Sequence, residues 1–197
     1  FIWKSDSVGE KLDSGLPGLY NVYNTLAASA AAKSLGISNK TIKQKIKSFT
    51  SAFGRYQKSL VGKKTIYTFL IKNPAGANET IRTINAYKKK TILLVLNDKV
   101  ADGHDVSWIW DTNWESLTHI QNIFFSGKRA ADIANRLKYA GLKLSKNNVH
   151  EDINYSVQNV VKNMNTNDTL FILPTYTSLL EIQKSLARLG QESWKSQ

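Results

Sequence analysis

The run Thr91-Ile92-Leu93-Leu94-Val95-Leu96 has no charged side chain and nothing polar after its first residue. Six residues make a strand, far short of the roughly twenty that a membrane-crossing helix needs. A strand that is apolar at every position, not only at alternate ones, must be covered on both faces, which points to a parallel sheet between layers of helix. The chain around it supplies the partners. Thr65 to Ile71, Ile120 to Phe125 and Thr169 to Leu173 read as three more strands. Helical patterns follow at Thr80 to Tyr87, Arg129 to Tyr139, Glu151 to Met164 and from Thr175 to Leu189, the last with Leu179, Leu180, Ile182 and Leu186 as its expected buried stripe. This alternation predicts an α/β domain, a mostly parallel sheet with helices on both faces. In such sheets ligands meet the loops at the strands' C-terminal ends. Those loops are Lys72 to Glu79, Asn97 to Asp111, Ser126 to Arg129 and Pro174 to Thr177.

One of the four is chemically unlike the rest. Asn97 to Asp111 carries Asp98, Asp102, Asp105 and Asp111 together with Trp108 and Trp110. Carboxylates this close repel unless solvent, a cation or a hydrogen-bond donor relieves them. The stretch therefore reads as a surface acidic ridge stiffened by two indoles. If Trp108 and Trp110 lie on a strand they face opposite ways, so one packs inward and the other is free for a partner protein. Asp102, Trp108 and Trp110 are the expected docking residues.

Ahead of this domain the pattern differs. Gly15-Leu16-Pro17-Gly18 is a turn that delivers the chain into an Ala-rich helix from Leu19 to Leu35, ended by Gly36. Asn21 and Asn24 sit in its first turns, where free N–H groups and the positive dipole end favour a polar or anionic ligand, or where the two residues simply cap. Ser38-Asn39 caps a second helix expected to run to Phe53, with Ile42, Ile46, Phe49 and Phe53 on one side and lysines on the other. Arg55 follows at a change of chain direction, and Gly62-Lys63-Lys64 marks the expected boundary between residues 1–61 and 62–197. Phe1 to Trp3 resembles the end of a strand, so a further domain is expected upstream.

Charge is placed unevenly. Residues 1–90 hold sixteen Lys and Arg against four Asp and Glu, and residues 91–197 hold eleven of each, so the whole net excess of +12 lies in the first half. That half suits phosphates or an anionic surface. Nucleic acid is the rival partner, but the basic residues belong to no recognisable nucleic-acid motif. The chain has no cysteine, which excludes disulfides, thiolate metal sites and a cysteine nucleophile. His104, His119 and His150 have no ligand spacing, so no metal site is expected within the chain. Neither a G-x-x-x-x-G-K-[ST] phosphate loop, nor G-x-G-x-x-G after a strand, nor a G-x-S-x-G elbow is present. A self-sufficient active site is not visible.

Gly18-Leu19-Tyr20-Asn21-Val22-Tyr23-Asn24-Thr25-Leu26-Ala27-Ala28 resembles the segment that opens the last helices of the central ATPase domain in Mur ligases, and Gly54-Arg55 resembles their later Gly-Arg pair. Lys72 to Glu79, Asn97 to Asp111, Gly127 to Gly141 and Leu173-Pro174-Thr175-Tyr176-Thr177 resemble, in order and spacing, the C-terminal domain of MurT-type subunits. The resemblance implies a Rossmann-like C-terminal domain over 62–197, preceded by helices that close a truncated ATPase domain. It implies part of a lipid II isoglutaminyl synthase, which uses ATP and Mg to amidate the stem-peptide D-glutamate at the cytoplasmic membrane face. The ammonia would come from a GatD-type glutaminase with its own Cys and His, and a zinc ribbon would belong upstream of this chain.

By the same resemblance, Asn21 and Asn24 would approach adenine, Arg55 the ribose or phosphates, and Lys72 with Asn73 would lie beside the nucleotide. The family's third triad member is an Asp of this chain, with Asp105 first, Asp111 second and Asp102 still open. Departures matter. Where ordinary Mur ligases carry Asp-Tyr-Ala-His-Asn-Pro, this chain reads Phe69-Leu70-Ile71-Lys72-Asn73-Pro74, so the ribose-binding Asp is missing and Lys72 stands for the His. Two rivals remain: a basic nucleic-acid-binding module, and a conventional Mur ligase that adds an amino acid.

Overall fold

The structure, a computed structural model, describes residues 2–5, 8–11, 15–49, 56–190 and 192–193. The chain divides into two compact units, 1–51 with the last two residues, and 52–195. The first contains the antiparallel pair β1 (Ile2–Ser5) and β2 (Val8–Lys11) and the helices α1 (Leu19–Ser34) and α2 (Asn39–Lys47). Ser38 caps α2 by accepting a hydrogen bond from the Thr41 N–H at 3.2 Å. The helix stops at Lys47, short of the expected Phe53. Phe49, expected on its inner face, is exposed, and Phe53 and Arg55 lie outside the described residues.

The second unit is built on a seven-stranded sheet in the order β7-β6-β5-β8-β4-β3-β9. Its strands are β3 (Gln57–Val61), β4 (Lys64–Thr68), β5 (Lys90–Val95), β6 (Ile123–Ser126), β7 (Val149–His150), β8 (Thr169–Pro174) and β9 (Glu192–Ser193). The five from β7 to β4 are parallel, as expected, while β3 and β9 are antiparallel additions at one edge. β3 was not anticipated. Gly62 adopts φ +56 in a two-residue hairpin turn between Val61 and Lys64. A glycine-marked turn looks the same in sequence whether it joins two strands or two domains. The boundary expected after Val61 falls inside this hairpin, and the compact units divide between Ser51 and Ala52.

The helices are α3 (Pro74–Asn85), α4 (Ala130–Tyr139), α5 (Ile153–Asn163) and α6 (Tyr176–Arg188). α3 begins six residues before the expected Thr80, because Asn73 caps it and Pro74 takes the first helical position, where its missing N–H costs nothing. Side chains of the two central strands alternate between faces. Ile92, Leu94, Phe171 and Leu173 join Ala77, Ile81 and Ile84 of α3 and Ile133 and Leu137 of α4. Leu93, Val95, Leu170 and Ile172 join Val157 and Val160 of α5 and Ile182 and Leu186 of α6. Leu180, expected inside, is 49% exposed, because it lies one helical step from Leu179 while Ser178 takes the close position against Val95 of the sheet and Ser185 meets the Asn154 carbonyl of α5.

Gly127 marks the tightest approach at the sheet's C-terminal edge. Its φ is +88, and a Cβ there would lie 2.5 Å from the Leu96 carbonyl oxygen and 2.9 Å from Asn97 Oδ1. Gly127→Ala is expected to cost about 3 kcal/mol, through left-handed backbone strain and overpacking together. The test is a urea midpoint by tryptophan fluorescence, which should fall clearly below the parent's.

Candidate functional site

Parallel strands expose all their C-terminal ends along one edge, and here Asn97 ties three of them together. It follows β5 and is almost fully buried. Its Oδ1 accepts from the Lys128 N–H at 3.0 Å, its Nδ2 donates to Thr177 Oγ1 at 3.2 Å, and its own N–H donates to Thr175 Oγ1 at 3.0 Å. The loops after β5, β6 and β8 thus share one buried carboxamide. α3, the helix that follows β4, joins less directly, where its Asn78 Oδ1 accepts from the Asn113 N–H at 2.9 Å.

The acidic stretch is ordered by its own partners. Trp108 and Trp110 lie in a 3-10 turn, Ser107–Asp111, within the expected loop, so strand alternation does not set which way they face. Ile109 takes the inward position, Trp108 is half-buried against the core, and Trp110 is 52% exposed. A second 3-10 turn, Trp114–Leu117, follows. Trp114, which the sequence reading overlooked, is fully buried and donates its indole N–H to the Ile109 carbonyl at 2.8 Å. Ile109, Trp114, Leu117 and Ile120 therefore close the core over α3 and α4. Arg136 of α4 is buried beneath them. Its Nη2 donates to the Thr112 carbonyl at 3.0 Å and to Glu115 at 2.8 Å, and its guanidinium carbon sits 5.5 Å from the Trp110 ring centroid.

Each Asp of the ridge has a different environment. Asp98 pairs with Arg129 Nη1 at 2.9 Å, and Arg129 Nε also donates to Asp132 at 2.7 Å. Arg129 holds both carboxyls below the usual carboxylate range, and Asp132 and Asp98 in turn hold the guanidinium above its ordinary value. Asp102 is spent inside the protein, accepting from the Thr177 N–H at 2.7 Å and from the Thr177 hydroxyl. Asp105 is exposed, with Oδ1 held at 2.7 Å by the Ser107 N–H, and that hydrogen bond lowers its pKa. Asp111 is exposed, and its carboxylate meets no donor among the described residues. Asp105 lines a cleft of about 300 Å³ with His104, Ser107, Ile109, Trp110, Arg129, Asp132 and Asn135. Arg129, Asp132 and Asn135 were not singled out from sequence. They read as ordinary polar positions of an amphipathic helix, and only the topology brings its first turns beside the ridge.

The residues expected at a nucleotide are divided between the two units, and Arg55 lies outside the described residues. Asn21 is buried and donates Nδ2 to the Pro17 carbonyl at 2.6 Å, so it braces the turn before α1, while Asn24 is exposed on the same helix. In the other unit, Asn73 Oδ1 accepts from the Gly76 N–H at 2.8 Å as the cap of α3, and Lys72 is exposed. Exposed Lys72 is a point charge that could meet a phosphate. No G-x-x-x-x-G-K-[ST] loop is present in the sequence, so these residues would supply only part of an ATP and Mg site.

The fold is shared with solved Mur ligases. MurF from Acinetobacter baumannii superposes with a TM-score of 0.71 over 96% of this chain and 42% of that one, at 16% identity. The family model described as MurT ligase C-terminal matches residues 70–179, and the chain belongs to that family. It is 38% identical over 184 residues to subunit MurT of the lipid II isoglutaminyl synthase (glutamine-hydrolyzing) of Streptococcus pneumoniae (strain ATCC BAA-255 / R6), covering 91% of this chain and 40% of that protein. To subunit MurT of the same enzyme in Staphylococcus aureus (strain COL) it is 35% identical over 182 residues, covering 91% and 41%. The chain thus spans about two fifths of the length of the curated relatives it matches.

The ion triad gives the site a pH signature. Asp98 and Asp132 have folded pKa values below their unfolded ones, so their stabilisation is complete above roughly pH 4 and is lost as pH falls through the lower folded values. Arg129→Met should flatten the fall in urea midpoint below about pH 4, measured as midpoint against pH beside the parent.

Proposed function

We propose that this chain is the glutaminase-facing part of a lipid II isoglutaminyl synthase subunit. The whole enzyme would be an ATP-dependent amide ligase that converts the α-carboxylate of the stem-peptide D-glutamate to a carboxamide, acting on lipid II at the membrane's cytoplasmic face. Its nitrogen would be ammonia released from glutamine by a GatD-type partner. ATP would supply carboxylate activation, and its phosphate-binding residues would lie outside this chain. Among the described residues no helix is long and apolar enough to cross a membrane, so contact with a lipid-linked substrate would be peripheral.

The observation that carries this reading is Asp105. A triad acid must orient an imidazole through its N–H and stabilise the imidazolium that forms, which needs an ionised, fixed carboxylate with one oxygen left over. Ser107 holds Oδ1, and its hydrogen bond favours the charged form. The residue opens onto a cleft beside an exposed Trp110. We assign Asp105 as the acid that this chain supplies to the partner's Cys and His. Asp102 is a poor candidate, since Thr177 already occupies both of its oxygens. Asp111 has the exposure but nothing to orient it. Trp110 is the docking anchor, and half-buried Trp108 supports the turn from beneath.

In the assembled enzyme, Asp105→Asn is expected to lower glutamine hydrolysis about a thousandfold or more, the scale on which a triad acid acts. Asp111→Asn should leave it within about threefold, as for a surface charge with only screened influence. Initial rates of glutamate release check both. Full activity in Asp105→Asn with loss in Asp111→Asn would reverse the assignment.

A further inference from the structure

The N-terminus of α6 has an unusual cap. Its N-cap residue is Thr175, a residue type that normally turns its hydroxyl onto its own helix, but here no such bond forms. Thr175 Oγ1 instead accepts from the Asn97 N–H and lies 3.4 Å from Ser178 Oγ. The capping carboxylate comes from another loop. Asp102 Oδ1 accepts from the Thr177 N–H, an orphan donor of the first turn, and Asp102 Oδ2 accepts from the Thr177 hydroxyl and, at 3.2 Å, from the Lys99 N–H. A carboxylate here also meets the positive end of the α6 dipole.

The donors and acceptors fit only one way. A carboxylate is acceptor-only, so the Thr177 hydroxyl must donate its hydrogen to Asp102 and use its oxygen to receive Asn97 Nδ2–H. That fixes the Asn97 amide with Oδ1 toward the Lys128 N–H. The network is satisfied at every position, and it runs from the loop after β6, through Asn97 and Thr177, to the loop that carries Asp105 three residues beyond Asp102. A further tie between that loop and α6, Lys99 to Glu181 at 3.1 Å, joins two half-exposed side chains and adds little.

We propose that Asp102 is a positioning residue: by capping α6 through Thr177 it fixes the loop that presents Asp105, so the aim of that carboxylate depends on a helix at the opposite end of a shared network. The proposal rests on the reading of Asp105 given above. It deepens that reading by assigning Asp102 and Thr177 to orientation instead of docking or direct catalysis. A displaced triad acid costs rate through geometry, and an error on the order of an ångström costs about a hundredfold. Glutamine itself would bind in the partner's pocket, so KM should hardly move.

The experiment compares Thr177→Val, Thr177→Ser, Asp102→Asn and Asp105→Asn in the full-length subunit bound to its glutaminase. Valine keeps the shape of threonine and loses the hydroxyl, whereas serine keeps the hydroxyl and loses the methyl. Thr177→Val and Asp102→Asn are expected to lower kcat about ten- to a hundredfold with KM little changed, and Thr177→Ser to keep most of the parent rate. Loss in Thr177→Ser with a normal Thr177→Val would mean packing, not hydrogen bonding, and would overturn the proposal. Parent rates in Thr177→Val and Asp102→Asn, with Asp105→Asn inactive, would overturn it and leave the reading of Asp105 standing. Should Asp105→Asn be fully active, that reading fails, and amide hydrogen exchange of the full-length subunit decides the latch. Faster exchange over residues 98–107 and the first turn of α6 in Thr177→Val than in Thr177→Ser supports it, and equal exchange overturns it.

Discussion

The second unit depends on one buried carboxamide. Where five parallel strands end on one edge, the chain must leave the sheet several times within a small area, and every departing segment carries N–H and C=O groups that the sheet no longer pairs. Asn97 meets this need for three loops at once, with both ends of its side chain and its backbone N–H engaged. Gly127 is part of the same solution, because any side chain there would collide with the Leu96 carbonyl and with Asn97 itself. The edge is therefore a set of coupled parts, and what looks in sequence like a long acidic loop is tied by hydrogen bonds to the loop after β6 and to the start of α6.

Coupling also answers the electrostatic problem of the ridge. Four carboxylates within fifteen residues are stable together because each has a separate environment: Asp98 has Arg129, Asp102 has the α6 terminus, Asp105 has the Ser107 N–H, and Asp111 faces solvent. Two of the four are spent on structure. The division matters for the proposed role, because both oxygens of Asp102 are already engaged within the chain, whereas exposed Asp105 is held through Oδ1 by the Ser107 N–H.

Much of the fold was legible in sequence because burial on both faces leaves a plain mark. The apolar run at Thr91 to Leu96, the matching run at Thr169 to Leu173 and the helices between them gave the parallel sheet and its two layers. β3 escaped, since Gln57 to Val61 is a mixed, half-exposed edge segment whose glycine turn resembles a linker. The start of α3 escaped because Pro-Ala-Gly-Ala suggests a loop to a reader who weighs composition above the Asn-Pro start signal. In the site, the acidic stretch and its tryptophans were visible, but their roles were not. Asp102 and Asp105 look alike in sequence, and what engages Asp102 most is Thr177, seventy-five residues away from it. Trp114 was overlooked because its neighbours are polar, and only the returning chain buries it. The expected nucleotide residues Asn21 and Asn73 serve as local braces, a use that the same residue types have at most turns and caps.

The central claim is that this edge completes an active site on another protein. The most direct test is the structure of the full-length subunit bound to its glutaminase. Asp105 Oδ2 is expected within about 3 Å of a ring nitrogen of the partner's catalytic histidine, a normal hydrogen-bond distance, with Trp110 at the interface and Asp102 still on Thr177. Asp105 found in solvent, with Asp111 or no carboxylate of this chain beside that imidazole, would contradict it.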